Sequence, residues 1–434
     1  MIVAVNPRAK NKQNKVTNDL KVKPTGGNDM RKLLVALMMV AFAATAFAAD
    51  VKFSGSYEVD GKYQRNYGLA DSDVATNSYY EHDFDLWMNV QTDKDTFFKT
   101  KLELLDSTIG ATHDGNNKVV YPGSDSGYAG TTQFSVQRAW LGHNFGGVLV
   151  EAGLMNSGSW GYAFADDAEG SYRVKATFDV AGGKLTVLTQ KKDERGDDST
   201  KDAENDDADK YSIGYKGTFG GIMIAPKLDY DINGNGTINQ ETNEGADTKV
   251  IDFNLAAGGK FGAVTVETEF KYNTTSYADE AAGRKDFDLY GIYANVNYNY
   301  GAGVVGFLTA YGSTDKDMNK GFDFDDDFDS TFILGDDMGL GGGDDLTGFW
   351  ANALYATYDV NDKLSLMGKL AYVTSNWDAG AYEDASAWEL DASATYAITK
   401  ELTYYVNFGY AKVDLDASDP DPIVLVKHGL VLNF

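Results

Sequence analysis

The 434-residue chain has no cysteine and only six prolines. The first absence excludes a disulfide framework, thiolate metal sites and cysteine catalysis together. The second leaves no proline-rich linker to divide the chain into domains. Histidine is nearly as scarce, with His82, His113, His143 and His428 alone. No Ser-His or Asp-His arrangement stands out around them, and His82 and His428 fall in step with apolar neighbours, so the sequence does not read as an enzyme. No stretch beyond the N-terminal region approaches the roughly 18 apolar residues of a membrane helix. Positive charge is in deficit as well, with 38 Lys+Arg against 65 Asp+Glu and a formal net charge of −27. A surface of that sign excludes nucleic acid as a partner and favours cations.

What is abundant is glycine (47), tyrosine (27) and phenylalanine (23), a mixture that suits many strands joined by polar turns. Near the N-terminus Met30-Arg31-Lys32 precedes an apolar run from Leu33 to Ala44 and then Ala46-Phe47-Ala48, a small-x-small site. This is the pattern of an export signal peptide over 30–48, cleaved after Ala48. Residues 1–29 are polar and basic and read as a non-native extension ahead of a true start at Met30. Residues 1–48 hold 8 Lys+Arg and 2 Asp+Glu, so the expected mature chain, 49–434, carries 30 basic and 63 acidic side chains, a formal charge of −33.

From residue 51 onward one pattern repeats: about ten residues alternate apolar with polar, a short turn follows, then another such segment and a long polar loop. Val51, Phe53, Tyr57, Val59 and Tyr63 share one face against Lys52, Ser54, Glu58 and Lys62. Phe84, Leu86, Met88 and Val90 oppose Asp83, Asp85, Asn89 and Gln91. Eighteen such segments run to 422–434. Short turns fall at Thr92–Asp95, Ala181-Gly182-Gly183, Gly220-Gly221, Gly258-Gly259, Gly301-Ala302-Gly303, Asn361-Asp362 and Thr399-Lys400, whereas the alternate connections are long. Period two with short turns on one side and long loops on the other predicts an all-β fold, a transmembrane antiparallel β-barrel of 18 strands with short periplasmic turns and long extracellular loops. Sixteen strands is the alternative. Pro226 is the weak point of the count, because proline removes a ladder bond and implies a bulge or a shifted boundary. In lipid such a sheet must close, since unpaired edge amides cost several kcal/mol each.

The last segment carries a resemblance. Leu430, Leu432 and Phe434 lie on one apolar face, and the twelve residues from Ile423 reach roughly 40 Å at about 3.3 Å each, enough for a tilted membrane crossing. A closing strand of this form resembles those of bacterial outer-membrane β-barrel proteins, where the terminal phenylalanine is the signal read by the barrel-assembly machinery. Gln137-Arg138-Ala139-Trp140-Leu141-Gly142 followed by Phe145-Gly146-Gly147-Val148-Leu149-Val150-Glu151-Ala152-Gly153 resembles the general bacterial porin family. That likeness implies an outer-membrane location, a homotrimer, and a loop after the fifth strand, here 155–170, that folds inward as a constriction. The loop carries Asp166, Asp167 and Glu169. Arg173 and Lys175, by the alternation of Tyr172, Val174, Ala176 and Phe178, face the lumen, as do Lys99 and Lys101. Carboxylates facing ammonium and guanidinium groups across a narrow gap would set up a transverse field that orients dipolar solutes. The same acidic run is also what an ordinary solvated loop looks like. Two departures from the family stand out: Leu154-Met155 occupies a place where relatives often have arginine, and Arg138, by the parity of Phe134, Val136 and Trp140, is expected to point outward and to sit at a subunit interface or snorkel.

Two further patterns bear on partners. Asp231, Asn233 and Asn235, with Gly236 at the sixth position, follow the order of a calcium loop, although Thr242 stands at the twelfth; a Gly/Asn-rich surface loop is the other reading, and no other cofactor is implied. The acidic connections 191–210 and 313–348, the latter with Asp323, Asp325, Asp326, Asp327 and Asp329, are expected to be solvated external loops, or to bind divalent cations that bridge them to lipopolysaccharide. Outer-membrane lipid would cover the apolar band, and tyrosines at segment ends fit interfacial girdles better than a sugar path. The expected function is a water-filled, cation-preferring diffusion channel for small hydrophilic solutes and ions. The alternatives are a substrate-selective uptake channel and a barrel-anchored adhesin or hydrolase.

Overall fold

The structure, a computed structural model, describes residues 50–434 apart from 71–74, 110–111, 114–118, 121–134, 157–159, 163, 165–169, 194–206, 234–247, 278–284, 326–327, 339, 341–345 and 417. Eighteen strands form one sheet: β1 Asp50–Arg65, β2 Thr76–Gln91, β3 Thr96–Ile109, β4 Ser135–Asn144, β5 Val148–Asn156, β6 Gly170–Val180, β7 Gly183–Asp193, β8 Ala208–Phe219, β9 Ile222–Asn233, β10 Thr248–Phe261, β11 Val264–Tyr277, β12 Phe287–Asn299, β13 Gly303–Gly312, β14 Phe349–Asn361, β15 Leu364–Ser375, β16 Ser386–Ala397, β17 Leu402–Asp414 and β18 Ile423–Asn433. Each pairs antiparallel with its chain neighbours. β1 also pairs with β18, with Tyr57 opposite Leu432 and Tyr63 opposite Val426. The sheet is therefore a closed 18-stranded barrel, and none of its eighteen strands presents an unpaired edge. No described helix is long and apolar enough to cross a membrane; the crossing is made by strands.

Alternation decides the two surfaces. Phe53, Phe98, Leu141, Val174, Ile213, Leu255, Phe307, Leu370 and Leu430 are exposed on the outer face, while charged and small residues turn inward. Such a band of apolar side chains without protein contacts is what lipid covers. Consecutive strands on one rim are joined by two to four residues. At Gly220-Gly221 both residues have positive φ (58° and 87°), the geometry of a tight two-residue hairpin that glycine adopts at little cost.

The structure departs from the sequence expectation at three places in the sheet. Pro226 causes no bulge: β9 stays in register with both neighbours, and the ladder to β8 only lapses where Tyr215 and Lys216 face Ala225 and Pro226. Gly258-Gly259 is not a turn but the interior of β10, opposite Glu267 and Val266; the chain reverses at Gly262. The third departure is Arg138. Lys101 pairs with Arg138 but Leu102 with Val136, so Gln137 is an extra, bulged residue in β4. A bulge shifts the alternation by one. Val136 therefore points out with half its surface exposed, whereas Arg138 and Trp140 turn into the lumen, the reverse of the expected direction for Arg138.

Candidate functional site

The lumen is narrowed by two connecting segments that lie against its inner wall. The first belongs to the connection between β5 and β6. Its described residues are Trp160–Tyr162 and Phe164, and the wall beneath them is cut back to small side chains. A Cβ on Gly214 would overlap the Trp160 ring, and a Cβ on Gly258 would overlap the Tyr162 hydroxyl. Trp160 Nε1 donates to the Ala225 carbonyl (3.0 Å), on the stretch where the β8–β9 ladder lapses. The Tyr162 N–H donates to Glu269 Oε2 (2.7 Å), and Asn254 Nδ2 occupies the other oxygen of that buried carboxylate (2.8 Å). Burying a carboxylate costs several kcal/mol unless its oxygens are engaged, so Glu269 holds the segment and is satisfied by doing so.

The second segment, 313–348 between β13 and β14, was expected to be a solvated external loop. Its described part instead folds into the barrel. Phe322, Phe324, Phe328, Ile333, Leu334, Leu340 and Leu346 are buried in one apolar cluster. The phenylalanines interspersed among its aspartates supply a hydrophobic face, and burying that face outweighs the solvation of the acidic run. The inner wall makes room as before, with Gly291 under Phe322 and Gly409 under Ile333. On β16 the buried Glu389 accepts from the N–H groups of Ile333 (2.7 Å) and Leu334 (3.0 Å). Asp391 accepts from the Phe332 N–H (3.3 Å), and Lys369 Nζ on β15 donates to the Ser330 carbonyl (2.6 Å). The two segments meet at Phe164, whose ring lies 5.1–5.6 Å from those of Phe322, Phe324 and Phe328.

Both segments seat on the wall formed by β8–β18. Across the lumen, β1–β7 and the inner ends of β17 and β18 present charged side chains. Lys427 pairs with Asp60 (2.9 Å), Lys62 with Glu81 (2.9 Å), Lys101 with Asp85 (2.6 Å) and Lys175 with Glu151 (2.7 Å). The β8–β9 wall keeps an ion-pair cluster of its own, with Asp229 between Lys210 (3.2 Å) and Lys227 (3.1 Å), beside the apolar packing. A wide closed barrel whose interior is packed by connecting segments on one side and lined by paired charges elsewhere is a conduit rather than a filled core. A family model for Gram-negative porins matches residues 34–416. The chain belongs to the Gram-negative porin family. It is an outer-membrane porin, and its lumen is a channel. Among solved structures, the porin's fold is similar to Acinetobacter baumannii OccAB2 (11% identity over 88% of this chain and 98% of that one, TM-score 0.57). It is also similar to Pseudomonas aeruginosa OccK3 (12%, 88% and 96%, TM-score 0.55) and to Pseudomonas aeruginosa OpdK with vanillate (12%, 88% and 99%, TM-score 0.52). At such identities the likeness is one of fold. No curated protein matches the chain by sequence.

Within this porin the residues singled out from sequence are distributed as follows. Asp166, Asp167 and Glu169 lie outside the described residues, as does most of the acidic stretch 191–210. Arg173 is buried on the inner face of β6 with its Nε donating to Gln190 Oε1 (2.7 Å), and Lys175 lies beside Glu151. Lys101 is paired with Asp85, while Lys99 lies over the rings of Phe97 (4.9 Å) and Trp140 (5.8 Å). Leu430, Leu432 and Phe434 face outward along the β1–β18 seam. Of the calcium-loop pattern only its first three positions fall among the described residues. Asp231-Ile232-Asn233 is extended strand, Asp231 is met by Lys192 (3.2 Å) and Lys210 (3.9 Å), and Asn235 is outside the described residues. Among the described residues no cluster of three or more metal-ligating groups is present.

Sequence reasoning missed Trp160, Tyr162, Phe164, Glu269 and Glu389. A signal existed: inward positions normally polar in a porin are Gly or Ala at Gly214, Ala225, Ala256, Gly258, Gly409 and Ala411, which marks a wall with something seated on it.

Proposed function

We propose that this porin is a non-catalytic diffusion channel whose conducting path runs along the β1–β7 wall, passes small hydrophilic solutes and prefers cations. The observation that carries this is the packing of Trp160–Tyr162, Phe164 and the described part of 313–348 against β8–β18 around the apolar Phe164 cluster, because protein occupies that side of the lumen and the β1–β7 side keeps a charged lining. Cation preference is supported by the formal charge of −33 over 49–434 and by lumenal carboxylates not matched one to one by cations: Glu58 and Asp60 share the single ammonium of Lys427, and Glu103 is met by neutral donors. A homotrimer, removal of 30–48 as a signal peptide, insertion through the Phe434 signal by the assembly machinery, and contact of the outer loops with lipopolysaccharide belong to the same reading. The test is planar-bilayer conductance of the purified protein in a salt gradient. A reversal potential of cation-selective sign is expected. Clear anion selectivity overturns the charge argument, and absence of conductance overturns the channel itself.

A second reading, a substrate-selective uptake channel, is favoured by the extent of the constriction: two segments narrow this lumen. The fold neighbour OpdK was solved with vanillate. Saturable, solute-specific block of the ion current separates this reading from a general pore.

A further inference from the structure

Along the β2–β5 wall three lumenal carboxylates are already engaged. Asp85 is bound to Lys101 (2.6 Å). Both oxygens of Glu103 are taken, one by the Ser135 hydroxyl (3.1 Å) and the other by Gln137 Nε2. Both oxygens of Glu151 are taken too, by Trp140 Nε1 (3.1 Å) and Lys175 Nζ (2.7 Å). Lys99 and Arg138 stand among them, and among the described residues neither makes a salt bridge. What holds them is aromatic. The Arg138 guanidinium carbon lies 5.8 Å from the Trp87 ring centre, and Lys99 Nζ lies over Phe97 and Trp140. The two indoles meet edge to face, 6.2 Å apart at 87°, and Glu151 fixes Trp140 from behind. A cation over an aromatic face is positioned without being neutralised. The result is two positive groups on neighbouring strands that no carboxylate pairs with among the described residues, bordered by apolar ring surface; Glu103, hydrogen-bonded only by neutral groups, is the one carboxylate of the three that keeps its charge unpaired.

We infer that Lys99, Arg138, Trp87 and Trp140 form a subsite in the channel for a small organic carboxylate with a planar apolar group. The guanidinium fork matches a carboxylate in a bidentate fashion, and the ammonium supplies a second charge-assisted contact. Phe97 and the indoles offer surface to the apolar remainder of the solute, which a hydrated inorganic anion cannot use. The subsite rests on the pore reading and gives it a preferred solute class, independently of the bulk preference for cations.

The test is current block in planar bilayers, using the full-length protein in potassium chloride with benzoate, acetate or inorganic phosphate added to one chamber. Benzoate is expected to block at concentrations on the order of tenfold below those of acetate and phosphate. Block constants are read relative to each variant's own open current. In K99Q/R138Q the benzoate constant is expected to weaken by at least about tenfold, the value of one lost charge-assisted contact. W87L is expected to weaken benzoate more than acetate. A difference in migration between unboiled and boiled samples on gels establishes that each variant is folded. Equal block by the three anions, stronger block by phosphate, or a benzoate constant unchanged in K99Q/R138Q overturns the subsite. No current in potassium chloride alone overturns the pore reading instead, so the two failures are distinguishable.

Discussion

Glu389 Oε1 accepts the backbone N–H of Ile333 at 2.7 Å, and both residues are fully buried inside the barrel. A strand carboxylate thus holds the backbone of a connecting segment at a residue 56 positions earlier in the chain. The second oxygen takes Leu334 in the same way, so one side chain fixes the innermost turn of 313–348.

Glu389→Ala should free that turn. It leaves two buried N–H groups without acceptors, at about 1–3 kcal/mol each, while the ladders on either side of β16 are untouched. The expected outcome is a larger or more variable single-channel conductance from a protein that still shows the heat-dependent gel shift. Glu389→Gln, which keeps one acceptor oxygen, should fall between. Conductance of E389A identical to that of the parent would contradict the role given to this contact.

The seat of the first segment is testable from both sides. Trp160→Ala removes the bond to the Ala225 carbonyl, worth about 0.5–1.5 kcal/mol, together with the ring's contact over Gly214. Gly214→Val places a methyl-bearing carbon where the indole now lies, an overpacking cost of about 1–3 kcal/mol. Either variant should widen the path and raise the permeation rate of solutes near the exclusion limit in liposome swelling. The double variant should add little beyond the stronger single one, because both act on one contact.

The turn between β2 and β3 predicts a pH dependence. The Asp93 carboxylate accepts from the N–H groups of Asp95 and Thr96 (both 2.8 Å) and from the Thr96 hydroxyl (3.0 Å). These bonds, the one from Asp95 foremost, hold its carboxyl below the ordinary carboxylate range. A pKa depressed in the folded state contributes stability above the ordinary value, and that contribution is lost as pH falls through the folded one. The unfolding temperature of Asp93→Asn should therefore lie below that of the parent at neutral pH, and the gap should close below about pH 4. A gap that persists in acid would refute the assignment.

Phe434 closes the seam. Its N–H donates to the Gly55 carbonyl (3.0 Å) and its carbonyl accepts from the Gly55 N–H (2.9 Å), with the ring 6.4 Å from Phe84 on the outer surface. Deleting Phe434 should lower the yield of heat-modifiable barrel in cells far more than it lowers the stability of protein refolded in detergent, because the lost ladder bonds are few. Equal yields in cells would remove the residue from assembly.

The porin's architecture was legible in the chain because a strand declares itself locally. Phe84, Leu86, Met88 and Val90 against Asp83, Asp85 and Asn89 need no distant information to define two faces, and eighteen such stretches in a lipid setting have to close. Orientation failed where one extra residue intervened. Gln137 is bulged only because β3 and β4 pair in a particular register, and that register, absent from the local pattern, reversed Arg138.

The order of residues by itself thus determined a closed barrel and its lipid-facing band, both consequences of period-two alternation, and narrowed the strand count to eighteen or sixteen; the pairing of β1 with β18 around the whole sheet decided eighteen. The interior was decided by tertiary structure alone. Whether Asp323 and its neighbours are solvated or Phe322, Phe324 and Phe328 are buried depends on small wall residues such as Gly291 and Gly409, and on acceptors such as Glu389 some fifty positions away. Long-range complementarity of that kind has no period, so it emerges only when the sheet has curled and its inner surface exists to be filled.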